Sequence, residues 1–301
     1  MKTETLGLRP EIAEFLHQLA VVRAFSPKTV EAYGYDFVQF CAFLGGKLGI
    51  NWKIENVDQR NIKLYIEHLA DKGNAPITRG RKLASLKSLF GYLLAQDRIE
   101  IDPTSQIRMP KRCDKEASYL SEEEYKRLLK AVKDNASRYY IERDTAIVTM
   151  LIGTGIRLTE LVELNVGDVA FTNGTIKVIL KGRNEKILPV SDSVMIVIRR
   201  YLKTSEGVES SAPLFLSKRV RRIDTASVQY LVKKYCMEAH IDKSGLSPHM
   251  LRHSFAVALL KQGENVFTVQ QLLSHRNIRT TEKYLHLNNE DLKTAVNKIC
   301  L

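Results

Sequence analysis

A mainly α-helical protein in two domains, with one small antiparallel sheet in the second, is the fold class that this 301-residue sequence predicts. Three observations carry the prediction. Apolar residues recur at spacings of three and four along most of the chain, the period of a helix buried on one face. A β pattern occurs in one place, residues 169–190. Residues 103–117 break both periods with two prolines, mostly polar side chains and the basic Arg108, Lys111 and Arg112, so they read as a linker between 1–102 and 118–288.

Residues 11–44 predict two helices joined at Phe25-Ser26-Pro27. In the first, Ile12, Phe15, Leu16 and Leu19 share a face. Ser26 caps the second and Pro27 presets its first φ; Val30, Tyr33, Phe37, Phe40 and Leu44 line its inner side. Gly45-Gly46 is expected to stop it. Asp58 caps a third helix through Ile62, Tyr65, Ile66 and Leu69, closed by Gly73. A fourth spans 77–95 with Leu83, Leu86, Phe90 and Leu93/Leu94 inward. Its other side carries Arg79, Arg81, Lys82 and Lys87. A charge run on a helix is usually a solvated face, but nearly uniform positive charge on a basic chain points to a surface for phosphates.

The second domain opens with Ser121 and Glu124, spaced so that each side chain caps the other's backbone N–H. Arg143 to Gly153 is a strongly apolar helix ending in GTGIR. Arg157 then heads the next helix, with Glu160 one turn on to brace its guanidinium. Residues 169–171, 175–180 and 186–190, parted by turns at 172–174 and 181–184, predict a three-stranded antiparallel meander with Lys181 at the rim of its second turn. Helices at 193–203 and 224–240 flank a basic loop, 213–222, that carries Arg219, Arg221 and Arg222.

Ser247 caps and Pro248 opens a helix that Gly263 stops. Leu251, Phe255 and Ala258 form its expected buried stripe, and His249, Arg252, His253 and Ala256 a different face. Asn265 caps a helix that delivers His275, a short helix from about Thr280 presents Tyr284, and 289–301 form a last helix. The apolar stripe of that last helix has to fold back or dock onto another subunit.

With 46 Lys and Arg against 34 Asp and Glu, the net charge is +12, which favours a polyanionic partner, most simply nucleic acid. Cys41, Cys113, Cys236 and Cys300 are far apart, with no CxxC pair and no histidine spaced for zinc. A reduced, cytoplasmic protein is the expectation. The N-terminus has no apolar signal core, and the longest apolar run, 147–152, is far too short to span a bilayer.

His249, Arg252, His275 and Tyr284 fall close together in the last quarter of the chain. Breaking a phosphodiester without a metal requires donors for the non-bridging oxygens, a proton for the leaving oxygen and a nucleophile held in line. Arg157 and Arg252 offer planar forks, the histidines hydrogen bonds and proton handling, Lys181 an acid and Tyr284 a phenol able to attack phosphorus.

The segments TGIRLTELVEL, LKGRNEKILPV, SPHMLRHSFA and LLSHRNIRTTEKYLHL resemble the four signature patches of the tyrosine recombinases. The layout is most similar to Xer-type recombinases and short phage or transposon integrases. This resemblance implies a DNA clamp: a SAM-like helical core-binding domain over 1–102 and a catalytic domain over 118–288. It implies that Arg157 and Arg252 clamp the scissile phosphate, with Glu160 supporting the first, while His249 and His275 complete the pocket. Lys181 would protonate the departing 5′ hydroxyl, and Tyr284 would form a 3′-phosphotyrosyl link. Because that link keeps the bond energy, no metal or other cofactor is implied. The implied partners are a double-stranded DNA recombination site and three further copies, a homotetramer passing through a Holliday junction with 289–301 docked onto a neighbouring protomer. There is room for a second recombinase or an accessory protein, and none for a membrane. Xer-like resolution and mobile-element integration or excision both stay open. Ser274 departs from the family's usual glycine before the histidine. A topoisomerase-like nicking and rejoining enzyme and a non-catalytic DNA-binding accessory factor are the competing readings; the terminal apolar helix speaks against the first and the intact catalytic set against the second.

Overall fold

The computed structural model describes residues 8–110, 118–180, 184–204 and 208–273. The chain separates into two units, Met1–Lys115 and Glu116–Leu301. Among the described residues no helix is long and apolar enough to cross a membrane.

The first unit is helical: α1 (Pro10–Val21), α2 (Pro27–Leu48), α3 (Gln59–Asp71) and α4 (Pro76–Ala95). Local capping explains the starts of α2 and α3, and a proline opens α1 and α4. Ser26 Oγ accepts from the Thr29 N–H at 3.3 Å, and Asp58 and Asn61 cap each other's backbone N–H groups at 2.8 and 3.0 Å. The expected stop at Gly45-Gly46 is not used. A glycine inside a helix costs only about 1 kcal/mol, too little for Gly45 and Gly46 to end it, and the helix runs on to Leu48. The helix ends where Gly49 turns the chain at φ 84°. Aromatic rings interlock in the core, with Phe40 meeting Tyr65 at 5.0 Å and Phe90 at 6.3 Å, both edge-on.

The stretch expected to be an extended linker begins as part of this unit. Ile107 is buried in its core, Asp102 accepts from the Thr104 N–H at 2.7 Å, and Thr104 is itself buried. A tether from 103 onward is therefore corrected: the apolar Ile107 side chain pulls 102–110 onto the helices.

The second unit runs α5 (Glu122–Asn135), α6 (Ile141–Thr154), α7 (Leu158–Glu163), β1 (Val169–Ala170), β2 (Thr175–Ile179), β3 (Glu185–Pro189), α8 (Asp192–Leu202), α9 (Thr225–Glu238), α10 (Pro248–Lys261) and α11 (Val266–Leu273). The predicted fold class is thus the observed one, mainly α with a three-stranded antiparallel sheet in the order β1-β2-β3. Its register pairs Val169 with Ile176 and Val178 with Lys186. Helix α6 is buried along most of its length and forms the axis of the core.

Helix α10 departs from its expected single stripe. Leu251 is buried, but so are Arg252, His253 and Ala256 on the other face, whereas Ala258 is exposed. The helix packs against α6, α9 and α11 at once, so no one periodic face describes it.

Candidate active site

The site is built on the turn that ends α6. Thr154 Oγ1 donates to the Met150 carbonyl at 2.6 Å and accepts from the Ile156 N–H at 3.2 Å, while Gly155 adopts φ 61°. A Cβ at Gly155 would stand 2.5 Å from the Phe255 ring and 2.8 Å from Leu273 Cδ2. Only glycine fits this left-handed, crowded position. The turn sets Arg157 as the cap of α7. Its backbone N–H donates to Glu160 Oε2 at 3.0 Å and its Nη1 to Oε1 at 2.8 Å. One carboxylate, 9% exposed, therefore orients both the backbone and the fork of Arg157, whose side chain stays 38% exposed. A fixed but accessible guanidinium is suited to an incoming phosphate.

Arg252 is held differently. It is 5% exposed on α10, and its two Nη atoms donate to the carbonyls of Gly155 and Leu273. It ties the end of α6 to the end of α11, where carbonyls lack helical partners. His249, one turn earlier on α10, is exposed. His253 is buried, its ring edge-on to Tyr119 at 6.3 Å. Ser254 accepts from the Leu120 N–H at 2.8 Å and anchors the start of the unit on α10.

Lys186 on β3 completes the group. Its Nζ donates to the carbonyls of Gln271 and Leu272, the latter at 3.0 Å. Burial draws its pKa down; Glu160 opposes that, and Arg252 and Arg157 add to it. These four charges therefore share one electrostatic neighbourhood. Lys186 was missed as a site residue. The signal was available: β3 alternates, and Lys186 takes an inward position beside buried Leu188 and opposite buried Val178. A lysine there invites a polar explanation.

Of the predicted catalytic set, Arg157, His249 and Arg252 lie among the described residues, with Glu160 on Arg157. Lys181, His275 and Tyr284 lie outside the described residues, as do the helices expected from about 280 and over 289–301.

The basic residues expected to meet nucleic acid divide. Lys82 is corrected: it is 5% exposed, and its ammonium donates to Asp36 Oδ1 at 3.0 Å and Gln39 Oε1 at 2.7 Å. Asp36 is buried on α2 and needs compensating charge, which Lys82 and the fork of Arg81 supply. Arg222 is corrected as well. It donates to the carbonyls of Val162 and Leu164 at 2.9 and 3.0 Å and to Asn165 Oδ1 at 2.6 Å, closing the end of α7. Arg79 and Lys87 are half-buried; Arg108, Arg219 and Arg221 are exposed. Lys111 and Arg112 lie outside the described residues. The thiols of Cys41 and Cys236 are free, and burial pushes both up to about 11, which keeps them unreactive.

Residues 118–291 match the phage integrase family, and residues 12–97 match the phage integrase N-terminal SAM-like domain. The chain belongs to the phage integrase family, the tyrosine recombinases. As a tyrosine recombinase it is an enzyme that cleaves and rejoins DNA strands at specific sites. It is 35% identical to tyrosine recombinase XerC of Caldanaerobacter subterraneus subsp. tengcongensis, over 98% of this chain and 88% of that one. Identity to tyrosine recombinase XerD of Haemophilus influenzae is 30%, over 93% and 94%. The fold is shared with the XerH site-specific recombinase solved on a palindromic difH substrate: the TM-score is 0.75 over 93% of this chain and 84% of that one, at 21% identity.

Proposed function

We propose that this recombinase opens one strand of a double-stranded DNA site through Tyr284. The phenolic oxygen attacks the scissile phosphorus, a phosphotyrosyl bond forms on the 3′ side, and the bond to the 5′ oxygen breaks. The phenolic proton passes to one of the pocket histidines, His249 or His275, and Lys181 gives a proton to the departing 5′ oxygen. Arg157 and Arg252 neutralise the charge that gathers on the non-bridging oxygens. The observation that carries this reading is the pair of arginines held in fixed orientation, Arg157 by Glu160 and Arg252 by two helix-end carbonyls. Preorganised forks of this kind need no rearrangement at the moment of reaction.

The net charge of +12 and the exposed Arg108, Arg219 and Arg221 suit a polyanionic duplex. The family's known assemblies support the remaining parts: the helical domain over 1–102 and the catalytic domain over 118–288 both bind the site, and four copies exchange strands through a Holliday junction. In that assembly residues 289–301 dock onto a neighbouring protomer. A lambda integrase tetramer solved on a Holliday junction has the same fold, at a TM-score of 0.73 and 17% identity.

The test is a nicked suicide duplex carrying candidate sites, incubated without magnesium or ATP and run on a denaturing gel. A covalent protein–DNA adduct is expected from the wild type and none from Tyr284→Phe. Tight, salt-sensitive binding without an adduct would instead indicate an accessory DNA-binding factor. An adduct surviving in Tyr284→Phe would mean a different nucleophile.

A further inference from the structure

Three consecutive carbonyls at the end of α11 are each bound by a cation from another element. Gln271 and Leu272 accept from Lys186 on β3, and Leu273 accepts from Arg252 on α10. The last carbonyls of any helix lack intrahelical partners and carry partial negative charge, so cations suit them. Two separate cations converging on one turn fix it in two directions. Ser274 and His275 follow that turn directly in the sequence.

We infer that Lys186 is a positioning residue: by clamping the last turn of α11 it holds the Leu273 carbonyl, and so the Arg252 fork bound to it, in place. The inference rests on the tyrosine-recombinase mechanism proposed above. Packing alone does not call for a lysine here. Its strand neighbours on the same face are the buried Leu188 and, across the ladder, the buried Val178. An apolar side chain would satisfy that face. A cation is instead held close to Arg157 and Arg252, both of which repel it, with Glu160 as its counter-charge. Lys186 thereby ties β3 to the turn of α11 that Arg252 also holds.

The experiment measures single-turnover cleavage of the suicide duplex and, separately, DNA affinity for wild type, Lys186→Met and Lys186→Arg. A second duplex carries sulfur in place of the 5′ bridging oxygen; its thiolate leaves without a proton. Partners that orient a metal's ligands are worth about 10–100-fold, and an ångström of misplacement costs about 100-fold. Lys186→Met is therefore expected to cleave about 30–100-fold more slowly on both duplexes, with affinity within about threefold of wild type. Lys186→Arg, which keeps charge and paired donors, should stay within about fivefold. Rescue of Lys186→Met by the sulfur duplex would overturn the inference, because Lys186 would then be the proton donor. Cleavage by Lys186→Met within about threefold of wild type would overturn it too, leaving the lysine a cap without catalytic consequence. Loss of affinity alongside cleavage would make it a fold or binding determinant and so reject positioning. No adduct from the wild type would reject the mechanism beneath it, a result distinct from all of these.

Discussion

Replacing Gly155 with alanine puts the steric logic of the site to a quantitative test. Gly155 sits at φ 61°, where a residue with a Cβ pays about 1–2 kcal/mol. The new methyl would also stand 2.5 Å from Phe255 Cδ1 and 2.8 Å from Leu273 Cδ2, closer than carbon atoms tolerate. Relieving such overpacking by shifting side chains costs about 1–3 kcal/mol. Gly155→Ala should therefore destabilise the unit Glu116–Leu301 by about 2–5 kcal/mol. For a unit of that length each kcal/mol moves Tm by about 2–4 °C, so a fall of roughly 10 °C is expected. Differential scanning calorimetry reads it. Function should suffer below the new Tm as well. The Gly155 carbonyl is a partner of Arg252, and Phe255 lies one turn beyond Arg252 on α10, so cleavage should slow while DNA affinity holds. A Tm shift under about 2 °C with unchanged cleavage would refute the reasoning, since it would mean that the turn yields without cost.

Two further perturbations probe the charges. Asp36→Ala strands the buried Lys82 ammonium and should destabilise the helical unit by about 3–5 kcal/mol in urea unfolding. Adding Lys82→Met should recover most of the loss, and failure to recover would show that the pair is not what the acid holds in place. The second concerns Glu124, which pairs with Lys243. Burial pushes the Glu124 carboxyl up, but the Lys243 ammonium and the Ser121 N–H outweigh it and hold the group below its ordinary value. A depressed carboxylate contributes stability that is present above its unfolded pKa of about 4.3 and is lost as pH falls through the folded one. Lys243→Met should thus be less stable than wild type at neutral pH, with the gap closing in acid below about pH 4. A gap that stays constant from pH 7 to pH 3 would exclude the ion pair as its source.

Much of the site's scaffold was legible in the residues because its signals are local. The caps at Asp58, Ser121 and Ser247 each use a partner three residues away. The Arg157–Glu160 brace is a single-turn relation of the same kind. The meander announced itself by alternation, and the turn after α6 by a glycine that takes a left-handed φ. Lys186 shows where that local reading stops. Its strand register was readable, but its partners at Gln271 and Leu272 lie 85 and 86 residues on.

What the sequence by itself determined, then, was where helices begin, where the sheet among the described residues lies, the order of the family's signature motifs and the net positive charge. Only the tertiary structure decided which charges are spent inside. It turned Lys82 onto Asp36, from 46 residues away, and Arg222 onto Val162 and Leu164, 60 and 58 away. It also carried α2 past Gly45-Gly46 and left Ala258 exposed on a helix packed on several sides. The physical reason is range. Capping and periodicity act within a turn or along one strand, whereas the cost of burying a charge is settled by whichever distant element happens to carry its partner.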